Sequence, residues 1–150
     1  MVAKYRTYKS GLELDFSFWL DNLGWSFLYE PVKIPYIVPE KHRTYTPDFV
    51  IDPKNKRRIK QNLTLEELEG KIIIETKGIL DIDNRNKLLY VKENNPNLDI
   101  RLVFQKDNFI TPKKKKKNPK TGMRYSEWCE QNGFKYHIGV NPPKSWFKSE

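Results

Sequence analysis

From Lys71 to Gly78 the chain reads Lys-Ile-Ile-Ile-Glu-Thr-Lys-Gly. Three consecutive β-branched isoleucines favour a buried, extended strand. Buried strands rarely finish on two charges of opposite sign. Side chains alternate between faces along a strand, so Glu75 and Lys77 share one face and Thr76 takes the other. Gly78 marks an exposed strand end. Upstream, Thr46-Pro47-Asp48-Phe49-Val50 places an acid at the head of a second β-like run. If the two runs are neighbouring strands, two carboxylates and one ammonium converge on one spot. Two hard oxygen anions suit Mg²⁺, which takes one or two carboxylates together with phosphate oxygens. A lysine beside them can hold a phosphate or orient an attacking water.

Other local signals fill in the chain. Ser10-Gly11-Leu12-Glu13 reads as a capping box, with Ser10 at the N-cap and Glu13 three residues on. Leu12, Phe16, Trp19, Leu20 and Leu23 follow helical spacing, and Gly24 offers a stop. Phe27 to Tyr29 reads as a strand. In Val32 to Pro39 the prolines exclude a central strand and favour an extended connector or an edge. Thr46 to Ile51 is expected to be the strand that carries Asp48. Residues 52–70 read as an insertion, basic at first, with a one-turn capped helix at Thr64-Leu65-Glu66-Glu67. Asp83 to Asn94 is expected to be a helix with Leu88, Leu89 and Val91 inward, stopped by Pro96. Ile100 to Phe104 is a strand. Ser126 is expected to cap a short helix ending at Gly133, and Phe134 to Ile138 closes the chain as a strand. No internal repeat is present. Strands mixed with helices indicate an α/β or α+β domain with a mixed sheet.

Composition limits the partners. The net charge is +9, from 28 Lys+Arg against 19 Asp+Glu, and such a chain calls for an acidic partner such as nucleic acid. No apolar run approaches the ~20 residues of a membrane-spanning helix. The residues from Met1 to Lys9 carry charge but no apolar signal core, so the expected location is cytoplasmic, without membrane association. A single cysteine, Cys129, excludes an intrachain disulfide. It reads as a packing residue, and Trp146 as a core plug. Neither His42 nor His137 sits in a metal-ligand spacing, so neither is assigned to chemistry. The basic run Lys113, Lys114, Lys115, Lys116 and Lys117 is either a solvated loop or a phosphate-contacting one.

Taken alone, Asp48 reads as a turn aspartate after Pro47, and Glu75 with Lys77 as a strand emerging into solvent. Their joint order P-D…E-x-K, immediately after Ile72-Ile73-Ile74, favours a shared site. That order is the PD-(D/E)-x-K pattern of metal-dependent nucleases, with Glu75 in the D/E slot. Glu13 is explained locally by its capping box, worth about 1 kcal/mol of helix stability.

The chain resembles the endonuclease I family of T-odd bacteriophages, the Holliday-junction resolvases, from about Ser10 to Trp146. The resemblance is carried by Ser10-Gly11-Leu12-Glu13, Val32-Lys33-Ile34-Pro35-Tyr36-Ile37-Val38-Pro39, Thr44-Tyr45-Thr46-Pro47-Asp48-Phe49 and Glu75-Thr76-Lys77-Gly78. Weaker matches lie at Asn97 to Phe104 and at Glu127-Trp128-Cys129-Glu130. The resemblance implies a PD-(D/E)XK nuclease-like mixed sheet flanked by helices, in a symmetric domain-swapped homodimer. It implies Mg²⁺ on Asp48 and Glu75 with help from the Thr76 carbonyl, Mn²⁺ as a substitute, and a catalytic Lys77. It also implies that Glu13 is catalytic, offered to the partner subunit's site. In that arrangement residues 10–31 are the exchanged helix and strand of one nuclease domain, 32–39 the bridge and 52–70 an insertion. The chain departs from the family pattern in the wide separation of Asp48 from Glu75, in its five-lysine run and in a short C-terminal end.

The expected function is a Mg²⁺-dependent, structure-selective endonuclease that hydrolyses phosphodiesters in four-way and other branched DNA. Phosphate contacts are expected from Lys4, Arg6, Lys9, Arg43 and Lys113 to Lys117, with little base readout. Two rivals remain open. A site-specific homing or restriction-type nuclease would share Asp48, Glu75 and Lys77. A non-enzymatic basic nucleic-acid-binding protein would share the charge alone.

Overall fold

The isoleucine run becomes the middle of the structure. In the computed structural model, which describes residues 7–38, 41–110 and 122–148, strand β5 (Ile72–Lys77) is buried from Ile72 through Thr76. It pairs antiparallel with β4 (Phe49–Ile51) and parallel with β6 (Asp99–Phe104). Strands β1 (Leu28–Tyr29) and β7 (Lys135–Ile138) complete a mixed five-stranded sheet in the order β1-β4-β5-β6-β7. A central strand covered on both faces needs an unbroken apolar run rather than alternation, which is why Ile72-Ile73-Ile74 suits this position.

Each face has its own core. On one, Phe16 and Leu20 of helix α1 (Gly11–Asn22) pack with Phe49, Ile72, Ile74 and Val103, closed by Trp146 and Phe147. On the other, Val50, Ile73 and Leu102 meet Leu88 and Val91 of α2 (Ile82–Asn94) and Trp128 and Cys129 of α3 (Tyr125–Asn132). That second face also receives a separate two-stranded sheet, β2 (Ile34–Val38) antiparallel to β3 (Lys41–Tyr45). The proline-bearing segment is therefore extended and lies outside the main sheet, as Pro35 requires.

The first helix starts and stops as its sequence dictates. Ser10 Oγ accepts the Glu13 amide at 3.2 Å, and Gly24 leaves the helix at φ +79°, a left-handed conformation that costs glycine little. The one-turn helix of residues 52–70 is reciprocally capped, Thr64 and Glu67 each donating an amide to the other's side chain at 3.2 Å. This stretch is no detached lobe. Ile59, Leu63 and Leu68 are buried in the same core as Val50, Ile73 and Leu102.

Several boundaries differ from the sequence reading, most of them by one residue. The strand expected from Thr46 begins at Phe49, leaving Asp48 just outside the ladder. Helix α2 begins at Ile82, one residue before Asp83, because Asp81 caps it by accepting the Asn84 amide at 2.8 Å. Ser126 does not cap α3. Arg124 holds that position, while Ser126 donates its amide (3.0 Å) and hydroxyl (2.6 Å) to Asp107, which supplies the cap from outside the helix.

Arg101 is a feature the sequence did not mark. It sits in β6 with no exposed surface, paired to Asp99 through two hydrogen bonds of 2.9 and 2.7 Å. Its remaining donors hold the backbone carbonyls of Trp146 and, at 3.0 Å, Lys148. A buried guanidinium is tolerable only when paired and fully hydrogen-bonded. Arg101 thereby ties the C-terminal turn Lys144–Phe147 to the sheet. Among the described residues, no helix is long and apolar enough to cross a membrane.

Candidate active site

The site lies where β4 begins and β5 ends. The pairing of Phe49 with Ile74 continues outward to put Asp48 opposite Glu75. Alternation along β5 sends Glu75 and Lys77 to the face carrying Ile73 and the β2–β3 hairpin, and Thr76 to the face of α1. Asp48 stands between the two faces. Its Oδ2 accepts the Thr76 amide at 2.9 Å and the Thr76 hydroxyl at 2.8 Å. These bonds engage only Oδ2, so Oδ1 is the oxygen that Asp48 can offer to a cation.

On the hairpin side, Glu75 is held at both oxygens. The Tyr45 hydroxyl donates to Oε1 at 2.9 Å, and the Lys77 ammonium lies 2.7 Å from Oε2. On the helix side, Glu13 is buried, 4% exposed, with Oε2 accepting the Ser10 hydroxyl and Oε1 the Tyr29 hydroxyl, both at 3.0 Å. The capping box and the site thus use the same glutamate. Its backbone serves the cap while its carboxylate faces Asp48.

A fourth carboxylate arrives that sequence reasoning did not single out. Ligand atoms of Glu13, Glu30 and Asp48 all lie within 4.8 Å of one another. Glu30 follows β1 with φ +45°, a conformation seldom adopted by a non-glycine residue. Its amide donates to the Asp48 carbonyl at 2.8 Å, and its carboxylate pairs with the Lys9 ammonium at 2.7 Å. The only available signal was an acid at a strand end just before Pro31, which is too common to be diagnostic.

The electrostatics follow from crowding. Burial, then the charge of Glu75, then that of Glu13, push the Asp48 carboxyl up to about 8, against the two Thr76 hydrogen bonds. The Lys77 ammonium is held above its usual value: Glu75 and Asp48 outweigh the burial, itself the largest single influence, that would lower it. Like charges packed this tightly favour either protonation or a bound cation. The donor set is all carboxylate oxygen, which suits a hard divalent ion.

Glu13, Asp48, Thr76, Glu75 and Lys77 come together at one end of the sheet. The converging carboxylate cluster is Glu13, Glu30 and Asp48, whereas Glu75 is occupied by Tyr45 and Lys77. Thr76 grips Asp48 through its amide and hydroxyl. Lys9 lies at the rim of the site, and exposed Arg43 lines a groove with Tyr36, His42 and Lys87. Lys4, Arg6 and Lys113 to Lys117 lie outside the described residues. Cys129 and Trp146 are buried, as packing residues should be.

A family model described as Phage endonuclease I matches residues 1–150. The chain is 38% identical over 145 residues to Endodeoxyribonuclease 1 of Enterobacteria phage T3, covering 93% of this chain and 80% of that protein. It is 35% identical over 147 residues to Endonuclease I of Escherichia phage T7, covering 98% and 83%.

Proposed function

The chain belongs to the phage endonuclease I family and is a DNA endonuclease, and from that footing we propose that it is a Mg²⁺-dependent resolvase of four-way and other branched DNA, acting as a homodimer. The observation that carries this reading is the meeting of Glu13, Asp48, Glu75 and Lys77 around one strand end, with Asp48 fastened by Thr76.

Asp48, Glu75 and the Thr76 carbonyl would hold Mg²⁺, with Mn²⁺ as a substitute, and Glu13 would add its carboxylate from the helix side. A divalent ion held there supplies charge neutralisation and Lewis acidity at the phosphate. Lys77 carries a full positive charge at neutral pH beside Glu75 and would offer it to a non-bridging phosphate oxygen. Thr76 keeps Asp48 oriented, so no rotamer search precedes reaction. Tyr29 and Ser10 do the same for Glu13. Lys9, paired with Glu30, and exposed Arg43 would meet the backbone of diverging DNA arms, together with Lys4, Arg6 and Lys113 to Lys117 from the sequence. Phosphate contacts of this kind read shape and register rather than bases. That supports branch selectivity over site specificity.

For the dimer, residues 10–31 exchange as one unit of helix and strand, with 32–39 as the bridge and 52–70 as an insertion in a single nuclease domain. In this structure α1 closes on its own chain, Phe16 and Leu20 against Phe49 and Ile74. Exchange recreates each of these contacts between subunits, which is the usual low-cost route to a dimer. Two sites related by a two-fold axis would match the two cuts that resolve a junction.

The test is incubation with a synthetic four-way junction and its matched linear duplex, with and without Mg²⁺. Cleavage restricted to the junction and to the Mg²⁺ arm is expected. Equal cutting of the duplex at one sequence would instead establish a site-specific nuclease.

A further inference from the structure

Tyr45 ends β3 and is 1% exposed. Its backbone pairs with Ile34 of β2, its ring belongs to the apolar core on that face, and the Lys87 ammonium from α2 stands 5.5 Å from the ring centroid. Its hydroxyl leaves this apolar setting to donate to Glu75 Oε1 at 2.9 Å. A buried phenol needs some acceptor, so the bond alone could be mere satisfaction of the tyrosine. The geometry at Glu75 argues for more.

Glu75 is 5% exposed and has three side-chain torsions. Its neighbour on the same strand face, Lys77, lies 2.7 Å from Oε2. With only this pull, the carboxylate would turn towards the ammonium and away from Asp48. Tyr45 fastens the other oxygen from a different sheet and a different direction. A carboxylate gripped at both oxygens by donors on separate elements keeps one orientation whether or not Lys77 is drawn to a phosphate. Among the described residues, the β2–β3 hairpin is also held to α2 by Asn94 and Asn95, which donate to the Ile37 and Pro35 carbonyls, and the Tyr45 hydroxyl links it to the site.

We propose that Tyr45 is a positioning residue: its hydroxyl holds Glu75 in the orientation that binds the divalent ion, so that the carboxylate keeps its place when Lys77 leaves it for a phosphate. The inference rests on the reading of Glu75 as a metal-site carboxylate. Outer partners of this type typically set metal affinity within ~10–100-fold.

The experiment is Mn²⁺ titration of the DNA-free protein by calorimetry, for wild type, Tyr45→Phe, Glu75→Ala and Tyr136→Phe. Tyr136 serves as the control because its hydroxyl bonds Glu130 at 2.7 Å, away from the site. Tyr45→Phe should bind Mn²⁺ ~10–100-fold more weakly. Its junction cleavage should fail at low Mn²⁺ and recover as Mn²⁺ is raised, with junction affinity in chelator unchanged. Tyr136→Phe should match wild type. Urea unfolding in chelator separates the alternatives, since a purely structural hydroxyl would lower the midpoint and leave the Mn²⁺ titration untouched. That pattern, with Glu75→Ala defective, overturns the inference and spares the site. Wild-type Mn²⁺ affinity in Glu75→Ala overturns both.

Discussion

In the absence of divalent ions this protein should lose stability as pH rises through the neutral range, and Asp48 should be the cause. The carboxyl is pushed from the ordinary 3.8 up to about 8, first by burial and then by Glu75 and Glu13. Between those values the folded protein keeps a proton that the unfolded chain has released. Folding is then linked to proton uptake, so the stabilisation present below about pH 4 is lost progressively until about pH 8. The slope inside this window is ~1.4 kcal/mol per pH unit, or ~2.7 kcal/mol between pH 5 and 7. With a urea dependence of ~2 kcal/mol per molar, the midpoint should fall by ~1–1.5 M over that range. The assay is urea unfolding in chelator at pH 5, 6 and 7 for wild type and Asp48→Asn. An amide at this position keeps an acceptor for Thr76 but does not titrate. His137 is pushed below its ordinary value, chiefly by burial, and so contributes stability that is lost as pH falls. That contribution is common to both proteins and cancels in the comparison. Mg²⁺ should flatten the wild-type slope, because a bound cation favours the ionised carboxylate. Parallel pH profiles for wild type and Asp48→Asn would refute the reasoning.

The exchanged arrangement is tested by refolding Glu13→Ala with Asp48→Ala, each inactive alone: a shared site restores one wild-type centre per heterodimer, and single-strand nicking of a junction returns. Verified heterodimers without nicking would mean that Glu13 serves its own chain. Replacing Lys113 to Lys117 with glutamine should flatten the dependence of junction affinity on salt, which for ~6–10 phosphate contacts spans ~10³–10⁵-fold between ~50 and ~200 mM. An unchanged slope would return that run to a solvated loop. Arg101→Met should cost ~1–3 kcal/mol in unfolding, since it leaves two carbonyls of the C-terminal turn without their donor, whereas Asp99 is open to solvent. A loss below ~1 kcal/mol would show that the buried guanidinium is dispensable.

The parts of the site legible in the sequence are those governed by local rules. The Ser10 cap follows from side-chain reach within one turn, and the shared face of Glu75 and Lys77 from strand alternation. The proximity of Asp48 and Glu75 needed only two adjacent strands in antiparallel register. Glu30 and Tyr45 were not legible, because each depends on contacts distant along the chain. Glu30 reaches Asp48 only through the left-handed turn that ends β1. Tyr45 reaches Glu75 only because a second sheet docks on the first. The misplaced cap at Ser126 has the same origin, since Ser126 donates its amide and hydroxyl to Asp107, 19 residues away. The late start of β4 reflects competition of another kind: the Asp48 side chain occupies the Thr76 amide.

The backbone of Glu30 carries a lesson for engineering. A non-glycine residue in the left-handed region costs roughly 1–2 kcal/mol, and glycine at position 30 would be released from it. A melting-temperature screen, or a redesign scored on backbone preference, would therefore favour Glu30→Gly. The selected protein would unfold at higher temperature with one carboxylate fewer beside Asp48 and no partner for Lys9. Thermostabilisation of this nuclease should hold position 30 constant and seek its gains elsewhere on the surface.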